Sequence, residues 1–212
     1  MNVVFDFGAV LFTWRPTQLV SMYFPDRTQT AAQAGHLAHQ IFGHADWQAF
    51  DRGALEMREV VDRTSTRLEL DLVALSALVE GIGDRLVPMP ESVDVLTHLH
   101  GLRVRSLVEG REPLKLYYLS NMPVPYARTL ERRHELLAWF DGGIFSGDVL
   151  LVKPEPAIYQ LLQSRYALAP QRTVFIDDLL GNVEAAQALG WRGIHFESAQ
   201  KLTKTLKELG LG

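Results

Sequence analysis

The sequence contains no cysteine among its 212 residues, which excludes disulfides, a thiol nucleophile and a cysteine-based zinc site. No apolar run approaches the length of a transmembrane helix, and no basic segment followed by an apolar stretch marks a signal peptide. Lysine and arginine form no block and the net charge is −4, so neither nucleic acid nor an anionic membrane is an expected partner. These absences favour a cytoplasmic globular protein. We expect it to be a monomer or a homodimer.

The strand and helix patterns of the sequence predict an α/β fold with a long helical insertion. Short apolar runs predict strands at 3–5, 114–119, 143–145, 173–176 and 193–196. Helical patterns separate the later runs, which predicts βαβ units and a parallel sheet. Between the first two runs, roughly seventy residues show only helical spacing. We therefore expect an inserted helical cap at 15–88 and a core domain at 1–14 and 89–212.

Two stretches of the core are harder to interpret. A helical pattern at 92–102 is followed by Arg103 to Pro113, in which apolar and charged residues are mixed without a clear period. We interpret this stretch as an irregular surface insertion. Farther along, Pro123 and Pro125 open a helix that we expect to continue to about Phe140.

Polar side chains stand at the carboxyl ends of the predicted strands or in the loops that follow. They are Asp6, Ser120, Asn121, Lys153, Asp177 and Asp178. Because the carboxyl ends of parallel strands lie along one edge of a sheet, these side chains can converge although they are distant in sequence. Three carboxylates without a sulfur ligand favour a hard cation such as Mg²⁺, and a lysine with a serine hydroxyl suits an oxyanion such as phosphate. One carboxylate then remains as a nucleophile that forms an aspartyl-phosphate.

Four motifs follow one another along the chain: Phe5-Asp6-Phe7-Gly8-Ala9-Val10-Leu11, Leu119-Ser120-Asn121, Lys153-Pro154-Glu155-Pro156-Ala157-Ile158-Tyr159 and Phe175-Ile176-Asp177-Asp178. Together with the helical insertion after the first motif, they resemble the haloacid dehalogenase (HAD) superfamily with its C1 cap. The resemblance covers nearly the whole chain. It implies a Rossmannoid parallel sheet flanked by helices, with an inserted all-helical cap.

The resemblance also implies roles for the residues that contact a substrate. Asp6 is the nucleophile, Ser120 binds the phosphoryl oxygens, and Lys153 offsets charge in the transition state. Asn121 belongs to the same motif as Ser120 and is a further substrate-binding candidate, although either residue could instead cap the helix that follows. Arg15, just before the cap, is a candidate substrate contact on its position alone.

For Mg²⁺ the resemblance implies ligands from the first and fourth motifs. Asp6 and the backbone carbonyl of Gly8 come from the first motif. Asp178 is expected to bind the ion directly, and Asp177 through water or by orienting a ligand. Two adjacent carboxylates at a strand end repel each other unless a cation is bound, which favours this reading over a simple turn.

Gly8 departs from the pattern of most HAD phosphatases, which carry a second aspartate at this position as general acid and base. Three kinds of relative share the change: haloacid dehalogenases, sugar-phosphate phosphatases of the YihX type, and inactive relatives that bind phosphate. Dehalogenases use no Mg²⁺ and typically lack the paired acids that Asp177 and Asp178 provide here. We therefore expect an Mg²⁺-dependent phosphatase acting on a small phosphorylated metabolite, with a sugar phosphate as one candidate; dehalogenation and loss of activity are the alternatives.

The missing acid restricts the chemistry of the expected reaction. A substrate whose leaving group departs without protonation, such as an anomeric sugar hydroxyl, is cleaved with the smallest loss of rate. Alternatively, a cap residue or an ordered water supplies the proton. Four aromatic residues, Trp14, Phe42, Trp47 and Phe50, are candidates for the substrate face of the cap, although aromatic residues at helical spacing more often belong to a core.

Overall fold

A computed structural model describes residues 1–211 and contains a five-stranded parallel sheet. Its strands are β1 (Asn2–Phe5), β2 (Lys115–Ser120), β3 (Gly142–Phe145), β4 (Thr173–Asp177) and β5 (Arg192–His195). They lie in the order β3-β2-β1-β4-β5. Phe5 of the central strand stands opposite Tyr118 on one side and Ile176 on the other. The predicted α/β fold with a parallel sheet is confirmed.

Helices surround this sheet and fill the insertion. The α-helices are α1 (Pro16–Tyr23), α2 (Ala31–Phe42), α3 (Ala45–Asp51), α4 (Met57–Leu68), α5 (Leu72–Glu80), α6 (Ile82–Arg85), α7 (Pro90–Val108), α8 (Val124–Arg133), α9 (Pro156–Arg165), α10 (Leu180–Ala188) and α11 (Ala199–Glu208). Short 3₁₀ turns occur at Pro25–Arg27, Glu135–Trp139, Ser146–Asp148 and Pro170–Arg172. Within residues 1–211, no helix has both the length and the apolar composition needed to cross a membrane.

The insertion after β1 is built from α1 to α6, and local capping explains where several of these helices begin. Thr30 and Gln33 form a reciprocal capping box at the start of α2. Asp71 accepts a hydrogen bond from the backbone N–H of Ala74 (2.8 Å) and caps α5. The division into a cap at 15–88 and a core at 1–14 and 89–212 stays a proposal.

Apolar packing connects the insertion to the sheet. Phe5 of β1 belongs to a buried cluster that continues through Phe7 and Phe12 into the helices of the insertion. Val4, on the opposite face of β1, belongs to a second cluster beneath α9 and α10. A strand buried on both faces explains the uninterrupted apolar run that opens the chain. The continuous first cluster holds the inserted helices close to the strand ends.

The expectation of an irregular insertion from Arg103 to Pro113 is wrong for its first half, because α7 continues to Val108. The guanidinium of Arg103 donates to the carbonyl oxygen of Trp139 (3.0 Å) and to the carboxylate of Asp141 (2.9 Å). These polar contacts hold the end of α7 on the core. The sequence did not predict this last part of α7, because its final two turns expose their apolar side chains and show no buried stripe.

The expected helix from Pro123 to about Phe140 is also interrupted. The α-helical part ends at Arg133, and a 3₁₀ turn over Glu135–Trp139 follows it. The backbone at His134 is extended and ends the α-helix.

Candidate active site

Asp6 stands immediately after the central strand, at the edge of the sheet where the site was expected. Its backbone N–H donates to the carbonyl oxygen of Ile176 (2.9 Å), so the ladder with β4 continues up to this residue. The carboxylate oxygen Oδ1 accepts a hydrogen bond from the N–H of Phe7 (2.7 Å). Asp6 is therefore fixed by the backbone of its own loop and retains only 7% of its exposure.

Lys153 joins two of the predicted acids. Its Nζ lies 2.9 Å from Oδ1 of Asp6 and 2.6 Å from Oδ2 of Asp177, and it also donates to the carbonyl oxygen of Leu119 (2.9 Å). The Lys153 side chain is 1% exposed. Burial lowers the pKa of this ammonium, but Asp177 and Asp6 outweigh that effect and raise the net pKa above its ordinary value. Lys153 is thus a permanent buried cation beside the expected nucleophile.

The second motif divides its two polar residues between different tasks. Ser120, at the end of β2, is buried and faces the same cavity as Asp6. The side chain of Asn121 accepts from the backbone N–H of Lys153 (2.8 Å) and donates to its carbonyl oxygen (3.0 Å). Neither residue caps α8, because the N-cap of that helix is Pro123. Asn121 holds the lysine loop, while its expected substrate contact stays a prediction.

The fourth motif is held by the start of α10. Asp177 is fully buried, and its Oδ1 accepts from the N–H of Leu179 (2.8 Å) and from Nδ2 of Asn182 (3.0 Å). Asp178 is more exposed and lines the cavity. Asn182 therefore orders the loop that carries the two acids. The exposure of Asp178 and the burial of Asp177 fit direct and indirect roles toward a metal, respectively.

The carboxylates of Asp6, Asp177 and Asp178 form a cluster that fits Mg²⁺. One oxygen from each lies within 4.8 Å of the others. Burial, with repulsion from neighbouring carboxylates, raises the pKa of Asp6 to about 7 and that of Asp178 to about 6. A divalent cation would remove this repulsion and keep the carboxylates ionised. An all-oxygen donor set of this kind suits Mg²⁺. Gly8, the expected carbonyl ligand, lines the same cavity.

A cavity of about 240 Å³ opens above these groups. Its polar lining near the strand ends consists of Asp6, Ser120, Asn121, Lys153, Asp178 and Asn182. Its walls are largely apolar and include Trp14, Phe42, Trp47, Ile82, Leu86 and Met122. Trp14, Phe42 and Trp47, three of the candidates for a substrate face, thus line this cavity, and their contact with a substrate stays a prediction. Phe50 does not line the cavity; it is 2% exposed and packs between Trp47 and Tyr126.

Arg15 is not brought to this cavity. It lines a neighbouring cavity with Gln18, Met22 and Arg85, and Trp14 lines both cavities. Its predicted contact with a substrate has no support from its position and stays a prediction.

Asp51, which sequence reasoning missed, is a further acid in the wall of the main cavity. It ends α3 and is half-buried. Burial raises its pKa to about 8, nearby Asp6 acts in the same direction, and the positive charge of Lys153 opposes them. In the sequence, Asp51 lies two residues before Gly53 and is typical of the polar end of a short helix. No motif marked it.

Comparison with known proteins identifies the family of this chain. The family model of haloacid dehalogenase-like hydrolases matches residues 3–190. A sesquiterpene phosphatase of Aspergillus oryzae is 25% identical over 206 residues, covering 97% of this chain and 94% of the relative. A drimenol cyclase of Aspergillus calidoustus is 23% identical over 208 residues; the match covers 98% of this chain but 36% of that protein.

Solved structures show the same fold. A HAD family enzyme from Bacteroides thetaiotaomicron, in complex with magnesium and inorganic phosphate, has a TM-score of 0.69 at 19% identity and covers 95% of this chain and 98% of that one. The L-2-haloacid dehalogenase of Xanthobacter autotrophicus has a TM-score of 0.66 at 22% identity, covering 97% of this chain and 81% of that one. The chain belongs to the haloacid dehalogenase-like hydrolase family.

Proposed function

We propose that this hydrolase is an Mg²⁺-dependent phosphatase that works through an aspartyl-phosphate on Asp6. The observation that carries the proposal is the position of Asp6 between a buried cation, Lys153, and a carboxylate cluster that fits Mg²⁺. The curated relatives named as phosphatases, including the Aspergillus oryzae protein, support the same reaction.

Asp6 presents one oxygen for the attack on phosphorus. The N–H of Phe7 and the ammonium of Lys153 both contact Oδ1, so we assign Oδ2 to the attack. Ser120 and Lys153 hold the phosphoryl oxygens and offset the negative charge that develops on them. When bound, Mg²⁺ supplies positive charge that screens the repulsion between the nucleophile and an anionic substrate. Water then attacks phosphorus, breaks its bond to Oδ2 and releases inorganic phosphate.

The cavity walls indicate the substrate class within this proposal. The cap side chains that line the cavity are apolar except for Asp51. The apolar ones are Phe42, Trp47, Ile82 and Leu86. A sugar phosphate, which the YihX-type resemblance suggests, would place several hydroxyls against these walls without hydrogen-bond partners, and each such loss is costly. An apolar alcohol would instead bury its hydrocarbon there. We therefore favour a phosphate ester of an apolar alcohol, in keeping with the relative named as a sesquiterpene phosphatase.

Phosphate release from four esters tests the proposal: farnesyl phosphate, octyl phosphate, glucose 1-phosphate and p-nitrophenyl phosphate. We expect release that needs Mg²⁺ and is lost in Asp6→Asn, with circular dichroism showing that the variant is folded. Burying two methylene groups contributes about 1.6 kcal/mol, so kcat/KM for the apolar esters is expected to exceed that for glucose 1-phosphate by more than about tenfold.

Each other outcome points to a different conclusion. A preference for glucose 1-phosphate would overturn the substrate class but not the reaction. Halide release from 2-chloropropionate in the presence of chelator would favour the dehalogenase alternative. Binding of inorganic phosphate without turnover of any ester would favour an inactive relative.

A further inference from the structure

Gly8 leaves the proposed reaction without the acid that most HAD phosphatases use, so the cavity must supply a proton from elsewhere. The carboxylates lining the cavity are those of Asp6, Asp51 and Asp178. Asp6 is the proposed nucleophile and Asp178 belongs to the metal cluster. Asp51 is not part of that cluster. Among the described residues it is therefore the cavity acid that remains without a task.

Contacts between the insertion and the core hold Asp51 at the cavity. Ser146, after β3, donates its hydroxyl hydrogen to the carbonyl oxygen of Asp51. The guanidinium of the next residue, Arg52, pairs with Glu155 and donates to the carbonyl oxygen of Leu150 (3.2 Å). These contacts are made by the backbone of Asp51 and by the side chain of the residue that follows it. They fix the end of α3 against the loops that follow β3.

The Asp51 side chain is placed to exchange protons. In residues 1–211 its carboxylate takes part in no ion pair closer than 4.0 Å, and it is half-buried. The charged and titratable groups that interact with it are Asp6, Lys153 and Tyr126. The Tyr126 hydroxyl is occupied, because it donates to the carbonyl oxygen of Val79 (2.7 Å). Burial and Asp6 raise the pKa of Asp51 to about 8 against the opposing charge of Lys153, so the free enzyme holds this proton at neutral pH.

We propose that Asp51 is the general acid and base of the phosphatase reaction. Oδ2 of Asp6 forms a bond to phosphorus while the bond from phosphorus to the leaving oxygen breaks. That oxygen takes the electron pair and receives the proton of Asp51. The Asp51 carboxylate then takes a proton from a water molecule while the water oxygen attacks phosphorus. The bond from phosphorus to Oδ2 of Asp6 breaks, and its electron pair returns to Asp6. Asp51 ends the cycle protonated, as it began. This inference rests on the proposed function.

The test compares Asp51→Asn with the wild type on octyl phosphate and p-nitrophenyl phosphate, with Mg²⁺, from pH 5 to pH 10. An alkoxide leaves poorly without a proton, whereas p-nitrophenolate leaves without help. We expect kcat/KM on octyl phosphate to fall by about 10²–10⁴-fold and to lose its decline above about pH 8. On p-nitrophenyl phosphate kcat/KM is expected to change little. Asp62→Asn, the same change at an exposed position of α4, is the matched control.

The second step gives an independent readout. Without its base, Asp51→Asn is expected to hydrolyse the aspartyl-phosphate slowly, so p-nitrophenol appears in a burst of one equivalent per enzyme. A Cβ added at Gly8 would meet Trp14 at 3.8 Å, an ordinary contact. Gly8→Asp is therefore expected to restore part of the octyl phosphate activity in the Asp51→Asn background.

The outcomes separate this inference from the proposed function. Equal losses of kcat/KM on both esters without a burst would overturn it and assign Asp51 a structural part. Unchanged kinetics in Asp51→Asn would overturn it as well, while Mg²⁺-dependent turnover of p-nitrophenyl phosphate by the wild type would leave the proposed function standing. A wild-type enzyme that cleaves neither ester would overturn both.

Discussion

Replacing Lys153 with methionine tests the charge balance of the site. The ammonium lies 2.9 Å from Asp6 and 2.6 Å from Asp177, and its side chain is 1% exposed. Methionine fills similar space without charge, so it leaves buried carboxylates without their partner. Breaking a buried ion pair from one side costs about 3–5 kcal/mol. We expect a loss of this size in the free energy of unfolding at pH 8 without Mg²⁺.

The loss is expected to shrink as the pH falls. In the folded wild type, burial with neighbouring charges raises the pKa of Asp6 to about 7 and that of Asp178 to about 6. Without the ammonium both values rise further, whereas the unfolded chain keeps a value of about 4. A carboxyl group whose pKa is raised by folding destabilises the protein at high pH, and protonation removes this penalty. The deficit is therefore larger at pH 8, where the wild-type carboxyl groups have lost their protons, than at pH 5.

Urea unfolding followed by tryptophan fluorescence measures this difference at both pH values. Lys201→Met is the control, because Lys201 pairs with Glu197 on the exposed face of α11 and its loss is expected to cost no more than about 1 kcal/mol. Mg²⁺ is expected to recover part of the stability of Lys153→Met at pH 8. A deficit of equal size at pH 5 and pH 8 would show that the lost stability comes from packing and not from unpaired carboxylates.

Three further predictions follow from other contacts. Mg²⁺ is expected to raise the Tm of the wild type and of Asp62→Asn in differential scanning fluorimetry, but not that of Asp178→Asn; an equal rise in all three would contradict the metal site. Gly53→Ala is expected to lower the free energy of urea unfolding by about 2 kcal/mol, because Gly53 has φ +79° and an added Cβ would overlap a core carbonyl oxygen. Gly35→Ala in α2, where a Cβ meets nothing within 4 Å, is its control and is expected to be neutral or stabilising by up to about 1 kcal/mol; equal effects would refute the close approach. Folding raises the pKa of Asp51 from its ordinary value to about 8, so the contribution of this group to wild-type stability falls as the pH rises from about 4 to about 8. At pH 8 the free energy of unfolding of Asp51→Asn is expected to exceed that of the wild type by about 1–2 kcal/mol, after allowance for the partial exposure of Asp51, and its Tm is expected to be higher. At pH 5 the two proteins are expected to have the same Tm; a lower Tm of Asp51→Asn at pH 8 would contradict this.

The residues that sequence reasoning identified share a simple origin. Asp6, Ser120 and Asp177 are each the last residue of a buried strand or directly follow one. Alternating apolar runs and helical patterns predict a parallel sheet, and a parallel sheet brings its carboxyl ends to one edge. The assembly of these side chains around one cavity follows from local patterns alone. Membership of the haloacid dehalogenase-like hydrolases, expected from four motifs, is confirmed by the family match.

Features that depend on contacts between distant elements could not be predicted from the sequence. Asp51 faces the cavity because Ser146 and the pair of Arg52 with Glu155 hold the end of α3 against the core. No local pattern contains those contacts. Arg15 was proposed for its position just before the cap, but it lines another cavity. The end of α7 was missed because polar contacts, and not an apolar stripe, hold it to the core.

Trapping the phosphorylated enzyme distinguishes an aspartyl-phosphate on Asp6 from direct attack of water on the substrate. The protein is mixed with p-nitrophenyl phosphate and Mg²⁺, quenched in acid within the first turnover and analysed by mass spectrometry. The account predicts a phosphoryl group on Asp6 that is absent in chelator and in Asp6→Asn. Turnover by Asp6→Asn at the wild-type rate, with no phosphorylated wild-type enzyme at any time, would contradict it.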